Sequence, residues 1–160
     1  MPSGEKPLEG AAAVARYGER LAAAVEAALA PWVRAAVEAR FGGPVPPELE
    51  AEVTEAAQRA VADVGSRLRE LLALDIDDQW TNPLSIVRTA VGYPNAILAG
   101  AGVEPMGRDA TEVAMNPEDI YGLAPAAFGD LGADVHEPGL VWGAAKAHLH
   151  LQRRRGEDRT

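Results

Sequence analysis

Three aspartates close together are the best candidates for chemistry in this 160-residue sequence. Asp75, Asp77 and Asp78 lie in the run DIDD, and hard cations take carboxylate oxygens as ligands. A calcium loop that begins at Asp75 also needs a glycine at its sixth position and a glutamate at its twelfth, where this sequence has Trp80 and Ile86. The sequence therefore favours a solvated acidic turn that caps a helix.

Histidine and serine side chains offer no better candidate for a site. His148 and His150 are two residues apart, so on a helix they point to different faces, whereas ligands for one metal need a spacing of three or four. His136 precedes Glu137-Pro138, where a helix is expected to begin, which favours a capping role. No serine lies in a G-x-S-x-G motif, and the chain has no cysteine. The sequence therefore predicts no catalytic residue, no cofactor and no metal.

The composition of the sequence limits which cellular compartment and which classes of partner are expected. The formal net charge of −9 opposes nucleic-acid binding, which would require the 13 arginines to gather on one face. No run of about 18 apolar residues is present, so no transmembrane helix is expected. The start MPSGEKPLEG lacks the order of a signal peptide. We expect a cytoplasmic protein that binds neither nucleic acid nor membrane.

The first half of the sequence predicts two long antiparallel helices. Apolar residues recur every three or four positions over residues 9–41, which is typical of a helix with one apolar face. Pro31 interrupts this pattern, so one kinked helix is favoured, with two consecutive helices as the alternative. Gly42 or Gly43 can take a left-handed cap, and a second helix is predicted from about 47 to 74.

The second half of the sequence predicts shorter helices and a C-terminal helix. Asn82-Pro83 suits the N-cap and first position of a short helix that Gly92 ends, and Tyr93-Pro94 begins another. A last helix is predicted from about 138 to 155. Its expected apolar face consists of Leu140, Val141, Ala144, Ala145, His148 and Leu151.

These elements predict one domain. The expected fold is all-α, with a long antiparallel helical hairpin packed against several short helices and a C-terminal helix over residues 9–155. Residues 1–8 and 156–160 are expected to form flexible tails, because they contain few apolar side chains.

Three strings in the second half resemble a known group of proteins. TNPLSIVRTAVGYPNAILAGAGV, NPEDIYGLAPAAFGDLG and HEPGLVWGAAKAHLHLQRRR are similar to small conserved helical proteins of actinobacteria, over roughly residues 80–155. That group has no assigned enzymatic activity, and some actinobacterial helical proteins of this kind contact a ParA-type ATPase in chromosome partitioning. The resemblance implies a helical protein without known catalytic residues and makes a ParA-type ATPase a candidate partner.

The sequence as a whole favours a non-enzymatic cytosolic protein that binds another protein and forms a homodimer. The long alanine-rich stripe of the hairpin supports self-association, because small side chains permit close helix approach, although the C-terminal half could cover the stripe instead. The competing hypothesis is a metal-assisted hydrolase or small-ligand enzyme built around Asp75, Asp77, Asp78 and His136.

The acidic turn is the predicted partner-binding site. If Arg88 reaches back to Asp77 or Asp78, a charge-assisted hydrogen bond would fix the shape of the turn that begins at Asp75. Trp80 would then be presented beside carboxylates to a basic partner surface. In the alternative interpretation, Trp80 fills the gap below the helix junction and the aspartates only solvate it.

Overall fold

The computed structural model describes residues 10–73, 83–103, 125 and 127–158. All the regular elements in these ranges are helical, so the predicted all-α class is confirmed. In chain order they are α1 (Gly10–Phe41), a 3-10 turn (Pro47–Leu49), α2 (Glu50–Ala73), α3 (Leu84–Arg88), a 3-10 turn (Thr89–Val91), α4 (Gly92–Gly100), a 3-10 turn (Phe128–Leu131) and α5 (Ala133–Asp158).

The hairpin of α1 and α2 is the frame of the domain. Helix α1 runs through Pro31 without a break, so the one-helix interpretation is confirmed. Gly42 has a φ of +72°, a left-handed conformation that glycine adopts without a steric penalty. The N–H of Gly43 then donates to the Glu38 carbonyl at 3.1 Å, which closes the last turn of α1. The three prolines that follow lead the chain into α2.

The apolar stripe of α1 is covered within the chain. Val25 and Leu29 are both 0% exposed. Residues of α2, α3 and α5 complete the same cluster, so the C-terminal half does cover the stripe, as the sequence left open. The stripe is therefore not the surface for the predicted self-association. The main core consists of Leu21, Ala22, Val25, Leu29, Val64, Leu68, Leu72, Val87, Ala90 and Val135, with Trp32 and Trp142 packed against it.

Helices α3 and α4 form an almost continuous helical segment. The prediction that Gly92 ends a helix is wrong: Gly92 has helical dihedral angles and opens α4 directly after the 3-10 turn. Ile97 and Leu98 are buried as predicted. Gly102, with a φ of +75°, ends the segment, and the Val103 N–H donates to the Leu98 carbonyl at 2.8 Å.

Helix α5 begins earlier than predicted and turns a different face to the core. It starts at Ala133, so Pro138 lies inside it, and the N–H of His136 already donates to the Gly132 carbonyl at 3.1 Å. His136 is therefore a residue of the first turn, and the predicted capping role is wrong. Val135 and Leu149 are buried, whereas Leu140, Val141 and Leu151 of the predicted apolar face are exposed. The predicted face of this helix is thus wrong.

Close packing explains which face of α5 is buried. Gly139 lies so close to the ring of Phe128 that a methyl group at Gly139 would come within 2.7 Å of it. Trp142 lies over Gly18 of α1, and Leu149 lies beside Gly10 at the start of α1. These contacts run α5 antiparallel to α1. They also fix the rotation of α5 about its axis, since glycines allow close approach where other residues would collide.

Candidate interaction surface

The predicted partner-binding site lies mostly outside the described residues. Asp75, Asp77, Asp78 and Trp80 belong to the range 74–82, of which the structure describes nothing. Arg88 is the last residue of α3, and its side chain is partly buried. The predicted contact between Arg88 and the acidic turn therefore stays a prediction.

A groove of about 570 Å³, lined by both charged and apolar side chains, lies between α2 and α4. On its α2 side, Asp63 accepts hydrogen bonds from Tyr93 at 2.8 Å and from Arg67 at 3.0 Å, and Arg67 also donates to the Thr89 hydroxyl at 2.7 Å. The pKa of Tyr93 is raised, first by burial and then by this hydrogen bond to a carboxylate, because both favour the neutral phenol. These hydrogen bonds join α2 to the 3-10 turn and to α4 along the groove.

Several polar side chains of this groove pair with one another. Glu55 accepts from Arg59 at 2.6 Å, in addition to the pairing of Asp63. The residues that line the groove include no histidine, serine or cysteine, and its two hydroxyl groups already donate hydrogen bonds, Thr89 to the Ile86 carbonyl at 2.6 Å and Tyr93 to Asp63. Within the described ranges, no group of three or more histidine, aspartate or glutamate side chains is placed to hold a metal ion. The described groove thus supplies charged and hydroxyl groups that contact one another.

Charged pairs also bridge the two helices of the hairpin. Arg69 donates to Glu19 at 3.0 Å and to Glu26, which leans over Gly65 where α1 and α2 meet. Nearer the turn, Arg34 and Glu50 make a two-pronged contact that includes a bond of 3.1 Å. Its hydrogen bonds lower the pKa of Glu50 and raise that of Arg34. These pairs join neighbouring elements, so their role is structural.

The side of α5 that points away from the core is the most unusual surface of the described residues. Leu140 is 61% exposed, Leu151 is 52% exposed and Val141 is 38% exposed, whereas Val135 on the other side of the helix is 0% exposed. A helix in a globular protein normally turns its apolar face inward and its polar face to water. Helix α5 has apolar residues on both sides, so one of its two apolar faces is exposed to solvent.

The two most exposed of these apolar residues, Leu140 and Leu151, belong to one straight row on α5. We define this row, the outer face of α5, as Glu137, Leu140, Ala144, Ala147, Leu151 and Arg154, all of which are exposed. Consecutive members are separated by three, four, three, four and three residues. This is the heptad spacing of helices that pair side by side, in which the contact residues recur alternately three and four residues apart along one seam.

Sequence reasoning placed three of these residues on the buried face, and the reason is local. Leu140, Ala144 and Leu151 are apolar at helical spacing, which is the usual signal for a core face. The predicted apolar face did not include Val135, because the helix was expected to begin at Pro138 rather than at Ala133. With the first turn included, Val135, Gly139, Trp142 and Leu149 emerge as a second row, which is the one that the structure buries or partly buries.

Comparisons with known proteins give no function for this surface, so its function is inferred from its geometry. No protein-family model matches the sequence, and no curated protein or solved structure matches it either. Within the ranges that the structure describes, none of the helices combines the length and the apolar character required to cross a membrane.

Proposed function

We propose that this chain is a non-enzymatic protein-binding protein of the cytoplasm that acts as a homodimer through the outer face of α5. The observation that carries the proposal is the exposure of Leu140 and Leu151 on a single row of that helix. Single exposed leucines are common on protein surfaces, but two that are joined by a row of alanines form a continuous apolar strip.

Burial of this strip favours association. Full burial of an exposed leucine side chain contributes about 1.5–3 kcal/mol, and Leu140 and Leu151 gain part of this because they are 61% and 52% exposed. A two-fold dimer buries both leucines of each copy. Ala144 and Ala147 lie between the leucines and are exposed, so a partner helix can approach α5 closely there. A second copy of the chain fits this surface because it supplies an identical apolar strip.

A ParA-type ATPase is proposed as a further partner on the strength of the resemblance over residues 80–155. The acidic turn with Asp75, Asp77, Asp78 and Trp80 is the surface proposed for it. Its carboxylates suit a basic partner, and the overall charge of −9 has the same sign. Homodimerisation and this second contact use different parts of the chain, so each can be tested alone.

Light scattering of the purified protein at tens of micromolar tests the homodimer. We expect a mass of about twice 16.8 kDa for the wild type. Ala147→Glu introduces a charge into the strip and should give a monomer. Ala62→Glu makes the same change at an exposed position of α2 and should leave the dimer intact. A wild-type monomer, or a dimer that is equally insensitive to both substitutions, would contradict the proposal.

A further inference from the structure

The two ends of the outer face of α5 carry opposite charges. The row begins with Glu137 and ends with Arg154, and both side chains are exposed. At a rise of about 1.5 Å per residue, the two charges lie roughly 26 Å apart along the helix. Between them the order is leucine, alanine, alanine and leucine. Read from either end, the row therefore has the same spacing and the same apolar pattern, with the charge reversed.

We propose that the α5 helices of two copies pair in an antiparallel arrangement, with the two-fold axis between Ala144 and Ala147. The inference rests on the proposed homodimer and specifies its geometry. Glu137 faces Arg154 of the partner subunit, and Leu140 faces Leu151 of the partner subunit. By symmetry the same contacts occur again at the other end of the interface, as a closed two-fold dimer requires.

The antiparallel direction follows from electrostatics. In a parallel pair, Glu137 would face Glu137 of the partner subunit, and the arginine runs 153–155 of the two chains would lie side by side. Like charges at such close range oppose association. The antiparallel pair instead brings each arginine run to the acidic start of the other α5, where Asp134 and Glu137 lie. It also aligns the two helix dipoles in opposite directions, which is the favourable arrangement.

The centre of the row sets the distance between the helices. Ala144 and Ala147 have only methyl side chains, so the two helix axes can approach to about 8 Å, the lower end of the usual range. At that separation the leucines on either side of the centre interlock with the partner helix. The seam is thus apolar in its middle and charged at its ends, which fixes both direction and register.

Disulfide trapping tests the direction without disturbing the charges. The chain has no cysteine, so Leu140→Cys and Leu151→Cys each introduce its only thiol. In the antiparallel register, chains that carry Leu140→Cys crosslink with chains that carry Leu151→Cys. Neither variant crosslinks with itself, since the eleven intervening steps hold the two sulfurs about 16 Å apart along the helix, beyond disulfide reach.

The expected result is a mixed disulfide dimer that exceeds either self-linked dimer at least about tenfold after mild oxidation. The two chains are told apart by mass with an affinity tag on one of them. Light scattering of each variant under reducing conditions shows whether it still dimerises. If each variant crosslinks with itself and the mixture gives no mixed dimer, the helices are parallel and the inference is wrong, although the homodimer stands.

Exchanging the charges of Glu137 and Arg154 tests the register while both leucines of the row remain in place. Glu137→Arg alone, or Arg154→Glu alone, places like charges together at both ends of the interface and should weaken dimerisation by roughly tenfold. The double variant restores opposite charges and should return the dissociation constant to within about twofold of the wild type. A double variant no better than the single ones overturns the register. A wild type that is monomeric in the same measurement overturns the proposed function itself.

Discussion

Helix α1 and the outer face of α5 carry the same kind of sequence signal but have opposite surroundings. Both show apolar residues every three or four positions. In α1 these residues are buried by α2 and the C-terminal elements, with Val25 and Leu29 at 0% exposure, whereas Leu140 in α5 is 61% exposed. A periodic pattern establishes that a helix has an apolar face, but the pattern does not tell which chain covers that face.

The largest expected effect is a difference in stability between a substitution in the core face of α1 and one in the outer face of α5. Leu29→Glu places a carboxylate in the closed core, which costs several kcal/mol when the charge has no partner, so we expect the chain to lose its cooperative thermal transition. Leu140→Glu changes a side chain that water already reaches, so the free energy of unfolding at dilute, monomeric concentration should change by no more than an ordinary surface substitution does, about 0.5 kcal/mol. Circular dichroism during heating measures both. Equal destabilisation would mean that the outer face of α5 is a core face.

A smaller effect is expected from two glycines on α5 itself. Gly139→Ala adds a methyl group within 2.7 Å of the Phe128 ring and should destabilise the protein by about 1–2 kcal/mol, since overpacking exceeds the gain in helix propensity. Gly143→Ala meets nothing within 4 Å and should stabilise the helix by about 0.5–1 kcal/mol. Urea denaturation gives both free energies of unfolding. If the two substitutions change stability in the same direction, the assignment of the packed side of α5 is wrong.

The smallest effect concerns the groove between α2 and α4 and appears only at alkaline pH. Burial and the hydrogen bond to Asp63 raise the pKa of Tyr93, so the folded state favours the neutral phenol. This contribution to stability is complete below the unfolded pKa of about 10 and is lost as the pH rises through the higher pKa of the folded state. Between these two pKa values, Tyr93→Phe should therefore lose less stability with rising pH than the wild type does.

Absorbance titration of tyrosinate provides the check on this assignment. In the wild type, one phenol should ionise at a higher pH than an ordinary tyrosine, and Tyr93→Phe should remove that late step. A late step that persists in the variant would belong to another tyrosine, and the groove network described for Asp63 would then lack its expected effect on the pKa.

The fold was predictable where the signal is local. The hairpin follows from the stripe of α1 and from the glycine pair 42–43, of which the structure gives Gly42 the left-handed conformation. The rotation of α5 was not predictable, because it depends on how Gly139 meets Phe128 and how Trp142 meets Gly18, contacts with residues outside the helix itself. Both faces of α5 are apolar in sequence, and only packing decides which one is buried.

The two candidate interaction surfaces also differ in how much of them the sequence could predict. The aspartates at 75–78 and Trp80 were singled out by residue type, and their role as a partner surface stays a prediction, since they lie outside the described residues. The outer face of α5 contains no catalytic or metal-binding motif. It became recognisable only when the exposure of Leu140 and Leu151 was combined with the opposite charges at the ends of the row.

Sedimentation equilibrium of the wild type and of Leu140→Glu over a series of concentrations tests the central claim most directly. We predict that the wild type passes from one to two chain masses as its concentration rises to tens of micromolar, while Leu140→Glu keeps the mass of one folded chain throughout. A wild type that remains monomeric over the whole series, or a Leu140→Glu variant that dimerises as tightly as the wild type, would show that the outer face of α5 is not the surface on which two copies meet.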